Sequence, residues 1–235
     1  GRIDPVNIEE IKAKAKSTSI VRIVPGLRQI DVDYVIYDPY NEYKSIYAEV
    51  TEINSNGVRI GGTSIVYLPK NDTHVILNNL KVNTTYKVEF IYTTVNADTG
   101  ETIYHKIDGD DDNSYMKITT KMPSFDISVY KYSSINKNLI YNVKLPSDYM
   151  VTKVNVTLSF KYKVYNDDGD FTLENGYESS NVNISTGEGY IDLSGYNIDR
   201  DSSLKLTITS AYGGEGTLYV NRSISFRLWG SIWKE

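Results

Sequence analysis

The sequence predicts an all-β protein, with two tandem β-sandwich domains behind a short helical leader. Its 21 tyrosines and its many Val, Ile, Thr and Asn residues favour strands and turns over helices. Many segments alternate apolar and polar side chains, as strands with one buried face do. The 235 residues accommodate two sandwich domains of about 100 residues each. We expect the leader at 1–18, the first domain at 19–122 and the second at 123–235.

Residues 6–17 carry the one helical pattern. Glu9 and Glu10 come early and several lysines come late, which matches the dipole of a helix. The apolar stripe of this segment is too narrow for a free-standing helix. We therefore expect a leader that packs on the first domain or continues a preceding segment, with a partner-helix interface as the alternative.

The segment LNNLKVNTTYKVEF, residues 77–90, indicates the fold of the first domain. From Tyr86 onward apolar and polar residues alternate, and Tyr86, Val88 and Phe90 fall on the buried side. A tyrosine at such a corner can bury its ring while its hydroxyl bonds backbone a few residues upstream. Together with Leu80 and Thr85, these residues resemble the corner between the fifth and sixth strands of a fibronectin type III domain. The resemblance implies seven or eight strands, the number of predicted strands between Ser19 and Met122.

Met122-Pro123-Ser124 is the predicted joint, because proline cannot extend a β-ladder. The strand pattern of the first half then repeats, with Leu204, Leu206 and Ile208 in the places of Tyr86, Val88 and Phe90. Leucine has no hydroxyl to bond the backbone, so the second half departs from the corner motif. It resembles an immunoglobulin-like domain by the order of its strands.

Composition excludes several classes of protein. Without cysteine there is no disulfide framework, thiolate metal site or cysteine nucleophile. No apolar run reaches the roughly 18 residues that a membrane-spanning helix needs. A net charge of −5 argues against a general nucleic-acid binder. The two histidines, His74 and His105, have no nucleophile with an orienting acid beside them, so we expect no enzyme.

The predicted binding residues are Tyr40 and Tyr43, in a tyrosine-rich turn at one end of the first sandwich. Loops at the ends of a sandwich are natural contact surfaces, and tyrosine provides contact area at little entropic cost. Stacking on a sugar ring or burial in a protein partner would use these rings. The alternative is that tyrosine is simply abundant in this chain.

Two further groups of residues are candidates for a metal site and for an interface. Asp108, Asp110 and Asp112 alternate as calcium ligands do, but their segment lacks the glycine and glutamate of an EF-hand. A solvated turn is the main interpretation, a weak calcium site the alternative, and no other cofactor is expected. Trp229 and Trp233 lie four residues apart near the end of the chain, where they cover a core or form an interface with another segment or subunit.

These observations favour a non-enzymatic structural spacer and interaction module. An Asn-, Lys-, Ile- and Tyr-rich composition suggests the AT-rich genome of a low-GC bacterium or its phage. The expected setting is therefore extracellular, at a cell surface or in a virion, as part of a phage tail, baseplate, fibre or adhesin. Expected partners are proteins of that assembly or a cell-surface glycan, without nucleic acid or membrane insertion. The alternative is a carbohydrate-binding module that uses the loop tyrosines, attached to a cell-wall hydrolase or free of one.

Overall fold

The computed structural model describes residues 16–107, 115–228 and 233–234, and every regular element in them is a β-strand. The chain divides into two compact units, 1–122 and 123–235. No helix in the described residues has the length and apolar character that crossing a membrane requires.

The first unit is a sandwich of two antiparallel sheets. Its strands are β1 (Ser17–Pro25), β2 (Ile30–Tyr37), β3 (Ser45–Ile53), β4 (Arg59–Tyr67), β5 (His74–Leu77), β6 (Thr85–Val95), β7 (Thr102–Lys106) and β8 (Met116–Thr119). One sheet has the order β1-β2-β5, and the other has the order β4-β3-β6, with β7 and β8 both paired to β6.

The last strand of this sandwich is split in two. β7 pairs with the second half of β6, where Thr102 faces Val95. β8 pairs with the first half, where Thr119 faces Thr85. Residues 108–114 connect the two pieces. They include Asp108, Asp110 and Asp112, so the predicted calcium ligands lie outside the described residues.

Alternating side chains from both sheets fill the core of the first unit. Ile30, Val32 and Tyr34 of β2 face Val88 and Phe90 of β6 across the sandwich, and all five are buried. Burying one large apolar side chain contributes roughly 1.5–3 kcal/mol, so these inward faces hold the two sheets together. The Tyr34 hydroxyl leaves the core at its edge and donates a hydrogen bond to the carbonyl of Pro69 at 2.7 Å.

The second unit repeats this architecture. Its strands are β9 (Asp126–Ser133), β10 (Asn138–Lys144), β11 (Val151–Tyr165), β12 (Phe171–Asn181), β13 (Glu188–Asp192), β14 (Leu204–Gly213), β15 (Gly216–Leu218), β16 (Arg222–Phe226) and β17 (Trp233–Lys234). One sheet has the order β13-β10-β9-β17, and the other has the order β12-β11-β14, with β15 and β16 both paired to β14.

Both units therefore place their first, second and fifth strands in one sheet and their third, fourth, sixth and split last strands in the other. The fourth strand, β4 or β12, pairs with the third. In an immunoglobulin constant domain the fourth strand instead joins the first, second and fifth. The second unit adds β17, which pairs parallel to β9 at Tyr132 and Ser133.

The predicted boundary between the leader and the first domain is corrected by the structure. Ser17 and Thr18, assigned to the leader by the sequence pattern, begin β1 and face Tyr37 and Ile36 of β2. The β-branched residues that follow favour an extended chain, and pairing with β2 satisfies the backbone from Ser17 onward. Residues 6–15 of the predicted helix lie outside the described residues.

The two units form the corner before their sixth strand differently. In the first, the N–H of Lys81 donates to the hydroxyl of the buried Tyr86 at 2.8 Å, which confirms the predicted tyrosine corner. In the second, Leu204 is buried and the side chain of buried Asp199 makes the turn. The carboxylate of Asp199 accepts hydrogen bonds from the Ser202 hydroxyl at 2.5 Å and from the Asp201 N–H at 3.4 Å.

Candidate contact surface

The loop between β2 and β3 is organised by one carboxylate. The side chain of Asp38 is 2% exposed and accepts hydrogen bonds from the N–H groups of Glu42 at 2.8 Å and Tyr43 at 3.0 Å. The ammonium of Lys70, from the loop between β4 and β5, donates to the same carboxylate at 2.6 Å. These bonds hold residues 38–43 against the neighbouring loop.

Ionisation of Asp38 fits this environment. Burial acts to raise the pKa of the carboxyl, but the hydrogen bonds from Lys70 and the two backbone N–H groups outweigh it. The pKa is therefore lowered from its ordinary value. The carboxylate is charged at neutral pH, as its three donors require.

Asn41 completes the turn. Its φ of 52° lies in the left-handed region, which asparagine tolerates better than most residues. Its side-chain oxygen accepts a second hydrogen bond from Lys70 at 2.6 Å. The loop is thus fixed at both Asp38 and Asn41, and residues 39 and 40 form its tip.

The two predicted binding tyrosines are in different environments. Tyr40 is 74% exposed at the tip, whereas Tyr43 is 4% exposed. The ring of Tyr43 packs edge-on against Tyr92 of β6, with ring centres 4.9 Å apart. Tyr43 therefore belongs to the core and offers no ring face to a ligand, which corrects the prediction for this residue. For Tyr40, binding remains a prediction.

A polar groove of about 410 Å³ lies beside Tyr40. It runs between the 38–43 loop and the end of β6, and it is lined by Lys16, Tyr40, Asn41, Glu42, Lys44, Thr94 and Val95. Lys16 and Glu42 approach within 3.8 Å across it, a partly exposed pair worth little by itself. The groove therefore presents both signs of charge beside one exposed aromatic ring.

The histidines have structural partners that sequence reasoning missed. His74 opens β5 beside β2, and its ring nitrogens lie 2.7 Å from a carboxylate oxygen of Asp33 and 3.3 Å from one of Asp31. The hydrogen bond to Asp33 raises the pKa of His74 most, with Asp31 adding to it. His105 stacks on Tyr92 with ring centres 4.8 Å apart.

Among the residues that the structure describes, neither histidine contacts a hydroxyl nucleophile with an orienting acid. His105 does bond the hydroxyl of Thr94 at 3.2 Å, but no acid in the described part of the chain is hydrogen-bonded to its ring. Within the described ranges, no three His, Cys, Asp or Glu side chains gather closely enough to hold a metal ion. Trp229 lies outside these ranges. For Trp233 the structure describes only the backbone, which pairs in β17. The predicted tryptophan interface therefore stays a prediction.

The strand order defines the class of protein. Each unit has the fibronectin type III-like, immunoglobulin-like topology, and the chain is a tandem of two such β-sandwiches.

Comparisons with known proteins do not add to the class that the strand order defines. No family model matches the chain, and no curated protein sequence matches it. Among solved structures, a two-domain fibronectin type III segment from chicken tenascin matches with 12% identity and a TM-score of 0.41. The match covers 90% of this chain and 98% of the tenascin segment. The class rests on the strand order, since so distant a superposition carries no argument by itself.

Proposed function

We propose that this chain is a non-enzymatic spacer and interaction module of a larger virion or bacterial surface assembly, and that it makes contact through the loop tip at Tyr40. The observation that carries this proposal is the contrast between a fixed loop and an exposed ring. Asp38 binds both the loop backbone and Lys70, while Tyr40 next to it is 74% exposed.

Preorganisation is the physical reason to favour this tip. A partner that buries a flexible loop must offset the entropy of ordering it, whereas the 38–43 loop is already ordered by its own hydrogen bonds. A tyrosine ring then offers a large contact area with only two side-chain torsions to fix. These properties support a protein contact most directly.

A sugar ligand is the second candidate for the same tip. The adjacent groove presents the side chains of Asn41 and Thr94 beside the ring of Tyr40, and amides and hydroxyls both donate and accept hydrogen bonds as sugar hydroxyls require. In this alternative the chain is a carbohydrate-binding module, and any associated hydrolase activity resides in other residues.

Binding of the labelled chain to purified cell walls of several low-GC bacteria tests the contact surface. We expect saturable binding that Tyr40→Ala weakens at least about tenfold, as loss of an interface tyrosine does. Tyr190→Ala is the matched control, because Tyr190 of the second unit is 68% exposed. Equal effects of the two substitutions, or binding that survives Tyr40→Ala unchanged, contradict the proposed tip. Digesting the cell-wall protein before the assay separates a protein partner from a glycan.

A further inference from the structure

Part of the outer face of one sheet in the second unit carries short, uncharged polar side chains. Along β11, Val154, Val156 and Leu158 are buried, so the residues between them face outward. Pairing places Asn155 opposite Asn181 and Thr157 opposite Ser179 of β12. Two rows of amides and hydroxyls therefore cross these neighbouring strands.

These rows line a groove of about 380 Å³, to which Thr209 of β14 also contributes. Its volume is within the range of about 300–1,000 Å³ usual for small-molecule sites. Three adjacent strands span roughly 10 Å across the sheet. The groove is therefore wide enough for an elongated ligand that lies across the strands.

The polar groups of the groove are partly fixed and partly free. The Nδ2 of Asn155 donates to the Ser210 hydroxyl at 2.9 Å, and the Thr209 hydroxyl donates to the Asn155 carbonyl at 3.1 Å. These bonds leave Oδ1 of Asn155 available to accept. Among the described residues, the side chains of Thr157, Ser179 and Asn181 make no hydrogen bond, so they too are available to a ligand.

An exposed aromatic ring stands beside this polar surface. Tyr177 faces outward two residues before Ser179 on β12, about 7 Å away along the strand, and it is 71% exposed. Its cross-strand neighbour is the small Ser159. The ring thus lies next to the groove with only a short side chain opposite it.

Lys205 lies on the same outer face, opposite Ser159 of the neighbouring strand, but the groove itself differs in charge from the matching face of the first unit. There Glu89 lies between Lys87 and Lys106, at 3.0 Å from each ammonium. None of the side chains that line the groove in the second unit is ionisable. A phosphate or a basic peptide would find no charge partner inside this groove, whereas a neutral ligand rich in hydroxyl groups would match it.

We propose that this groove, with Asn155, Thr157, Ser179, Asn181, Thr209 and Tyr177, binds a neutral oligosaccharide. The sugar hydroxyls exchange hydrogen bonds with the amides and hydroxyls, and the apolar face of one sugar ring packs on Tyr177. The site is independent of the tip at Tyr40 and does not rest on the function proposed for it.

The test is titration of the ¹⁵N-labelled full chain with chitohexaose, cellohexaose, maltohexaose and mannohexaose, followed by amide NMR. At least one of these probes should give saturable shifts centred on Asn155, Thr157 and Ser179. Tyr177→Ala removes the ring, and Thr157→Lys fills the groove with a charged chain. Each should weaken binding at least about tenfold, whereas Tyr190→Ala leaves the affinity unchanged.

Two results would overturn the proposal. One is the absence of saturable shifts with all four probes. The other is binding whose affinity stays the same in both Tyr177→Ala and Thr157→Lys. Both positions are on an exposed face, so we expect both variants to fold. Retained amide spectra check that they do. Shifts confined to residues 38–44 would also overturn this site while supporting the tip at Tyr40, so the two proposals fail separately.

Discussion

Gly189 of β13 lies directly opposite Tyr141 of β10, with no room for a side chain between them. An added Cβ at Gly189 would sit 2.2 Å from Cζ of Tyr141. The ring of Tyr141 is fully buried, and its hydroxyl donates to the Ser180 hydroxyl at 2.7 Å. The ring therefore spans the core from β10 to β12 and depends on the missing side chain of β13.

Gly189→Ala is expected to destabilise the second unit by about 1–3 kcal/mol, because the added methyl group overpacks a core in which the Tyr141 ring is fully buried. Urea unfolding, followed through amide NMR signals of residues 123–228, measures this change. Gly195→Ala is the control, since a Cβ there has no neighbour within 4 Å. A Gly189→Ala protein as stable as the control would show that Tyr141 can shift.

The tyrosine corner of the first unit gives a second prediction. Tyr86→Phe keeps the buried ring but leaves the N–H of Lys81 without its acceptor. Losing one partner of a partly buried hydrogen bond costs about 1–3 kcal/mol. The unfolding midpoint read from amide signals of residues 16–107 should fall accordingly.

Tyr67→Phe is the matched control for the corner. Tyr67 is exposed on β4 and contacts Tyr47 edge-on, so loss of its hydroxyl should change stability by less than about 0.5 kcal/mol. Equal midpoints for the two variants would mean that water replaces the corner bond at no cost.

The sequence predicted the features that depend on residues close together along the chain. Burial of one face of β6 requires alternation, so Tyr86, Val88 and Phe90 could be placed in a core from a short stretch of sequence. The corner was visible because leucine, a polar turn and tyrosine follow one another along the chain. All-β class and the tandem arrangement followed from the same patterns.

The features that the sequence missed depend on partners far along the chain. Tyr43 is buried because Tyr92 of β6 packs against it, and nothing near Tyr43 separates it from Tyr40. His74 meets Asp33 only because β5 pairs with β2. The Asp199 turn in the second unit could not be predicted from the sequence, since aspartates before a strand are common in loops.

Asp38 gives a third prediction, which concerns order in the proposed contact tip. Asp38→Ala removes the acceptor for two backbone N–H groups and for Lys70. We expect a loss of stability of about 1–3 kcal/mol and faster amide exchange at Glu42 and Tyr43. Asp98→Ala, in the exposed turn between β6 and β7, is the control for loss of a loop carboxylate.

The same carboxylate makes the tip sensitive to acid. Because the folded-state pKa of Asp38 is lowered, its contribution to stability is present above the unfolded value, which is about 3.9, and is lost as the pH falls through the folded value. Amide exchange at Glu42 should therefore accelerate, beyond its intrinsic pH dependence, only at a pH below that of ordinary aspartate titration. Acceleration at a higher pH would contradict the hydrogen bonding seen here.

His74 gives the opposite pH dependence. Its pKa is raised, chiefly by the hydrogen bond to Asp33 and further by Asp31, so the folded protein holds this proton more tightly than the unfolded chain does. The resulting stabilisation is fully present below the unfolded pKa of about 6.5 and is lost as the pH rises through the folded value.

NMR titration of the His74 ring should show a pKa above 6.5, and Asp33→Asn should lower this pKa, because the substitution removes the charge that favours the imidazolium. Asp98→Asn, remote from β2 and β5 in sequence, should leave the titration unchanged. A His74 pKa at or below its ordinary value would show that the two aspartates do not hold the ring in solution.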